Sequence, residues 1–367
     1  MISRIGSARV APSPFALTPL QFACRRAVHQ QAATSPSRPP SKSQPKLDLI
    51  NRERANPPVS TLPELVDVPP RRPDQNILSY GLQSGKAYWK FYKAGVKSIW
   101  NNRKLAKAVL ERLRQNKEPF VQIKPGMDAL DVAFTRGEFQ LLRRSQHDMR
   151  RVPAFAVLLL LCGEWLPVIV IFVDGLVPLP CRIPRQVEKA ERKREDQRRG
   201  GRKLLADTQA AARIDQHRVP QGDGETMRAL DTLHLNLDQA AKNLTHSPKT
   251  SVHLYLHHAA TNFNVRSTLW DRTKAYTIMP SILWMIKLRR HLRYLTLDDA
   301  LLRRDGGVDA LRPEEVLVAC TDRGIDITGK AEGQWRPDAQ LRADLKEWLQ
   351  KRRGSEWLKL LFEKNKA

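Results

Sequence analysis

Glu164 is the residue whose surroundings fit its charge least. It is the single charged group in Val152–Val173 (VPAFAVLLLLCGEWLPVIVIFV), a run of 22 residues. A carboxylate inside such a run has two readings. It faces protein, water or a partner and relays a proton or cation, or it is a tolerated acid, protonated or close to an interface. His253 and His257 stand one helical turn apart, with His258 adjacent. Two imidazoles at that spacing can hold a metal. No glutamate completes an HExxH pattern and no third ligand is evident, so a plain helical face is expected, with no metal and no cofactor. Gly81–Lys86 (GLQSGK) is one residue short of a phosphate-cradling loop, and Ala87 stands where Ser or Thr would be required. There is no GxGxxG, GxSxG or calcium-loop pattern. Nothing sets a nucleophile beside a base, which predicts a non-enzymatic protein with no small-molecule substrate.

The chemistry that remains is cationic. The chain carries 63 Lys and Arg against 38 Asp and Glu, a formal charge of +25. A field of that size favours polyanions: nucleic acid, a ribosome surface or anionic lipid. The candidate contacts lie in the C-terminal half: Arg289, Arg290, Arg303, Arg304, Lys346, Arg352 and Arg353. The four cysteines, Cys24, Cys162, Cys181 and Cys320, are widely spaced and form neither a disulfide framework nor a zinc site.

Several segments must position these groups. Residues 1–47 hold seven Lys or Arg and no acid, among Ser, Ala and small apolar residues. That is the composition of a mitochondrial transit peptide, or of a disordered basic leader. Residues 48–79 read as a Pro-rich linker without a packed core. Residues 80–151 read as amphipathic helices ahead of the apolar run. Within Gly81–Gln115, Trp89, Tyr92 and Val96 form one stripe beside Lys86, Lys90, Lys93 and Lys97. Such a helix suits a membrane surface or a partner groove, or is an ordinary amphipathic core helix. A second helix starts at Thr135, with Glu138 placed for a capping box. Residues 152–173 are long enough to cross a bilayer once. Both flanks are basic, so charge does not settle the orientation.

After the run, residues 174–367 read as a helical domain. Arg182–Lys203 holds ten bases and four acids and reads as a charged, solvated helix or coil broken at Gly200-Gly201. Residues 251–304 are helical. A compact helix–loop–helix unit occupies 308–350. Its first helix has Pro313 at the first position, Glu314 and Glu315 in the first turn, and Gly324 as the terminator. Its second helix carries Leu341, Leu345, Trp348 and Leu349 on one stripe. Ile325 and Ile327 cover a small core, and the cations around the unit give it a positive surface. The fold class is therefore all-α: a disordered leader and linker, one membrane helix, then an all-helical domain.

Four stretches together resemble the LETM family, mitochondrial inner-membrane proteins with a ribosome-binding-like matrix domain. They are Tyr92–Leu105 (YKAGVKSIWNNRKL), Thr135–Phe155 (TRGEFQLLRRSQHDMRRVPAF), Glu164-Trp165-Leu166-Pro167 followed loosely by Leu179–Pro184, and Asp298–Leu349 with DDALLRR, DGGVDAL, EEVLVACTDRGI and LRADLKEWL. The resemblance implies a single-pass inner-membrane protein with its C-terminal domain in the matrix. The implied partners are the mitochondrial ribosome and inner-membrane lipids, with a homo-oligomer possible. Its implied role is support of membrane-protein biogenesis; the alternative is a part in mitochondrial potassium/proton or calcium/proton exchange, with Glu164 as the membrane carboxylate. The chain has no EF-hand and no long C-terminal coiled coil, and residues 190–279 depart most from the family pattern. It is similar to a short member of the family.

Overall fold

The computed structural model describes residues 51–64, 66, 76–115, 133–162, 177–214, 233, 237–245, 249–265, 281–329 and 334–352. All of these fall within one unit, Ser43–Ala367. Helix α1 is Ile77–Gln115. Phe91, Tyr92, Ile99, Ala106 and Leu113 recur on its buried face, the spacing of a helix with one apolar side. Helix α2 is Arg136–Cys162. Its start is the expected capping box: the Thr135 amide donates to Glu138 Oε2 at 3.0 Å, and the Glu138 amide donates to Thr135 Oγ1 at 3.3 Å. The two helices run antiparallel. Leu113 of α1 clusters with Phe134 just ahead of α2, while Phe91, Tyr92 and Ile99 meet Phe155, Val177, Cys181 and Ile183.

Helix α3 is Pro184–Ile214. Helices α4 (Leu237–Thr245), α5 (Lys249–Asn262) and α6 (Ser281–Arg304) follow. The last pair, α7 (Pro313–Asp322) and α8 (Asp338–Lys351), matches the expected helix–loop–helix. Gly324, at φ +70°, takes the left-handed conformation that ends α7. Its bare Cα sits against the Asn262 carbonyl, where a side chain would lie 2.9 Å from the oxygen. Leu341, Leu345, Trp348 and Leu349 of α8, with Ile325 and Ile327, join one core with Leu256, Trp284, Leu288, Leu295 and Val316. Burying each large apolar side chain of that kind contributes about 1.5–3 kcal/mol. Among the described residues, the extended pairing is a single bridge between Thr328 and Trp335, so the described architecture is all-α.

Three sequence expectations need correction. First, Gly200-Gly201 does not break the charged helix. Helix α3 continues through it because α5 packs on it there: a side chain at Gly201 would lie 2.9 Å from Thr261 Cγ2, so glycine is what lets the two helices approach. Nor is α3 wholly solvated. Glu195 and Arg198 are fully buried, with Glu195 Oε2 accepting from the Ile327 amide at 3.0 Å. Second, part of the Pro-rich linker is packed. Residues 51–62 form a strap on the domain, with Ala55, Asn56 and Thr61 buried. Asn56 Nδ2 donates to the Ala310 carbonyl at 2.7 Å, and Asn56 Oδ1 accepts from the Arg312 amide at 2.9 Å. Arg312 also donates to the Pro57 carbonyl. Single side-chain-to-backbone contacts leave no periodic trace in sequence. Third, the helical domain does not begin at residue 174, because α2 is embedded in it through the side chains described below.

Among the described residues, no helix is long and apolar enough to cross a membrane. The run Val152–Val173 is divided: its first half is the end of α2, and residues 163–173, Glu164 among them, lie outside the described residues. The leader 1–47 lies outside them too.

Candidate functional site

Helix α2 presents Arg136, Gln140, Arg143 and Arg144 to α6 and α7. Helix α6 answers with Asp298 and Asp299, the loop after it with Asp305, and α7 with Glu315, Asp322 and Arg323 at its end. Arg136 Nε donates to Asp298 Oδ1 at 2.9 Å, its amide to Asp305 Oδ2 at 2.7 Å, and its Nη1 to the Ala55 carbonyl of the strap at 2.8 Å. Arg144 grips Glu315 with two parallel bonds of 2.8 and 2.9 Å and reaches Thr61 Oγ1 at 3.0 Å. Two-pronged guanidinium–carboxylate pairing fixes orientation as well as distance. Arg323 binds Asp299 at 2.9 and 2.6 Å, Asp298 at 2.7 Å and the Ala319 carbonyl at 2.9 Å. The Arg304 guanidinium closes the group on Asp305 and on the Phe134 carbonyl, at 2.9 and 2.5 Å.

Beside this lies a polar triangle. The Tyr294 hydroxyl donates to Asp322 Oδ2 at 2.6 Å and accepts from Gln140 Nε2 at 2.9 Å. The Arg143 guanidinium lies 3.4 Å from the Tyr294 ring centroid and 3.3 Å from Asp322, a cation–π contact joined to an ion pair. His291 Nε2 is 2.8 Å from the Asp322 carbonyl. A carbonyl only accepts, so that nitrogen carries the proton.

Burial alone would raise the Asp298 carboxyl. The charges of Arg136 and Arg323, with hydrogen bonds from Arg323 and Gln140, outweigh it and hold the group far below the usual carboxylate range. Burial pulls the His291 imidazole down to about 4, against the partial opposition of Asp322. Burial also raises the Tyr294 phenol. The ring therefore stays neutral and the hydroxyl keeps its proton at neutral pH.

Five carboxylates (Asp298, Asp299, Asp305, Glu315, Asp322) meet seven guanidiniums in this network: Arg136, Arg143, Arg144, Arg304 and Arg323, with Arg54 on Asp305 at 3.2 Å and Arg352 at 3.7 Å from Asp299. Guanidiniums exceed carboxylates there by two, so most of the chain's excess of +25 lies outside it. The network acts as a clamp that registers α2, α6, α7 and the strap against one another. Buried pairs of this kind add little net stability over an apolar packing, but losing one partner is costly.

The sequence-derived cations are not brought to one place. Arg290 and Arg303 are exposed on α6 and have no acidic partner among the described residues. Arg289 is partly buried. Arg304 is committed to the network. Lys346 pairs with the exposed Asp309 at 2.8 Å. Arg352 lies 3.5 Å from Thr296 Oγ1 and 3.7 Å from Asp299. Arg353 lies outside the described residues. The positive surface expected on the helix–loop–helix is largely offset: Arg336 pairs with Asp344, Arg342 with Asp338 and Lys351 with Glu347. His257 and His258 are buried on α5, and no group of potential metal ligands occurs among the described residues.

In the sequence, Arg304 reads as a polyanion contact and Glu315 as a first-turn acid, and the other clamp residues carry no visible role. One signal could have revealed it. Asp298 and Asp299 sit between Leu295 and Leu302, on the stripe where α6 is otherwise apolar. Charges on a buried stripe require partners.

The fold and the clamp define a class: over the described residues, an all-helical domain whose helices are registered by buried ion pairs. The chain belongs to the LETM1-like family. The family model described as LETM1-like, RBD matches residues 134–362, which takes in α2 through α8 and therefore the whole clamp except the strap. No curated protein and no solved structure matches the chain.

Proposed function

We propose that this protein acts by binding, not catalysis: anchored in the mitochondrial inner membrane by the run Val152–Val173, it holds mitochondrial ribosomes at the matrix face and supports insertion of newly made membrane proteins. The observation that carries this reading is the match to a ribosome-binding-like domain, on which α6 keeps exposed cations, Arg290 and Arg303, outside the clamp. Ribosomal RNA supplies the phosphates such cations neutralise. The apolar run fits an anchor: Leu160 and Leu161, at the described end of α2, are each 80% exposed, and large leucines left in water have a reason when lipid covers them.

The test is sedimentation of the full chain, in mild detergent, with mitochondrial ribosomes over a salt series. Charge reversal at Arg289, Arg290 and Arg303 should weaken co-sedimentation and flatten the salt slope by about three, one unit for each phosphate no longer neutralised. Binding indifferent to salt and to those reversals would sink the proposal.

A further inference from the structure

Helix α1 has a second apolar face that nothing described in the chain covers. Its buried side seats Phe91, Tyr92 and Ile99 on Phe155 of α2 and on Val177, Cys181 and Ile183 ahead of α3. Away from that side stand Leu82, Trp89, Val96 and Trp100, exposed by 70, 58, 45 and 55%. At 3.6 residues per turn these four fall within a sector of about 40° and run for about 27 Å along the helix. Lys86, Lys90, Lys93, Lys97 and Lys104 are exposed in the adjoining sector. Over its whole length α1 carries nine Lys or Arg and one acid, Glu111.

We propose that this face of α1 lies on the surface of an anionic phospholipid bilayer, with Leu82, Trp89, Val96 and Trp100 in the acyl boundary and the lysine row on the phosphates. Two observations select lipid. The first is charge: a face this cationic repels a second copy of itself, whereas a headgroup layer rich in phosphate complements it. The second is position. The buried side of α1 rests on Phe155 and Leu158, residues of the apolar run itself, next to the exposed Leu160 and Leu161. Indole rings flanked by lysines are suited to the boundary between headgroup and acyl chain. The lipid face uses residues of α1 and none of the α6 cations.

The test places an environment-sensitive fluorophore on Val96→Cys in the full chain, with Cys24 and Cys162 changed to Ser; Cys181 and Cys320 are buried. A second sample carries the label at Asn101→Cys, exposed on the far side of the lysine row. The vesicles are phosphatidylcholine with or without phosphatidylglycerol, with brominated acyl chains as quencher. The expected result is a blue shift and quenching at position 96, not at 101, stronger with phosphatidylglycerol and reversed by salt. Lys90→Glu, Lys93→Glu and Lys97→Glu together should weaken it at least about tenfold. If those reversals disturb helicity, salt titration of the unaltered lysines gives the same discrimination. A shift that follows protein density in the membrane, one that appears only with RNA, or a label in water under every condition would overturn the proposal. The label reports on α1 alone, so failure here leaves ribosome binding standing, and the reverse holds.

Discussion

Replacing Arg323 by alanine should cost more than any surface change in the protein. The side chain is fully buried and makes four hydrogen bonds, to Asp298, Asp299 and the Ala319 carbonyl. Asp298 keeps Arg136 and Gln140 after the change. Asp299 keeps only Arg352 among the described ion-pair partners, at 3.7 Å. The expected penalty is therefore one buried carboxylate left nearly unpaired, about 3–5 kcal/mol. For a domain of this size that corresponds to a fall in melting temperature on the order of 10 °C. Circular dichroism of the full chain in mild detergent would measure it. The double variant Arg323→Ala with Asp299→Ala separates the causes. If the orphaned charge is the problem, the double variant recovers roughly 2 kcal/mol relative to the sum of the single changes. A single change costing less than about 1 kcal/mol, or a strictly additive pair, would refute the clamp as the element that registers these helices.

The strap gives a second prediction. Asn56→Ala removes the bonds to Ala310 and Arg312 and should lower stability by about 2 kcal/mol, with proteolysis beginning earlier around residues 51–62; an unchanged melt would show that the strap does not hold the domain. The third concerns pH. The folded His291 pKa, near 4, lies below the ordinary value of about 6.5, so the unfolded chain binds this proton first and stability falls as pH drops from about 6.5 to 4, by about 3 kcal/mol. Asp298, depressed by Arg136 and Arg323, stabilises the fold above about pH 3.9, and that contribution is lost on further acidification. His291→Gln should flatten the upper part of a melting-temperature titration, and an unaltered slope would remove His291 as the cause. Finally, Gly201→Val forces a side chain against Thr261 and should destabilise by about 1–3 kcal/mol, whereas the same change at Gly200, which has open space around it, should cost only the glycine-to-valine helix preference; equal costs would contradict the packing argument.

Local rules were enough for the helices whose ends carry their own chemistry. Thr135 with Glu138, Pro313 with Glu314 and Glu315, and Gly324 each act over a few residues, so the starts of α2 and α7 and the end of α7 were legible. The apolar stripe of α8 was legible for the same reason, since period 3.6 is a local property. Partnership across the chain was not legible. Asp298 meets Arg136 over 162 positions, and Asn56 meets Ala310 over 254. No spacing rule reaches that far, and in sequence a buried arginine looks like an exposed one. Charge shows the same division. Composition fixed the excess of cations, but only packing decided that Arg304 is consumed by Asp305 and Phe134 while Arg290 and Arg303 stay exposed. The same packing overrode two local signals: Gly200-Gly201 reads as a helix breaker until Thr261 occupies the space, and residues 51–62 read as linker until Arg136 and Arg312 bind their carbonyls. The sequence by itself determined where helices can form and that cations are in large excess. The tertiary structure decided which charges are spent inside and which remain outside, because burial makes an unpaired charge too costly to leave alone.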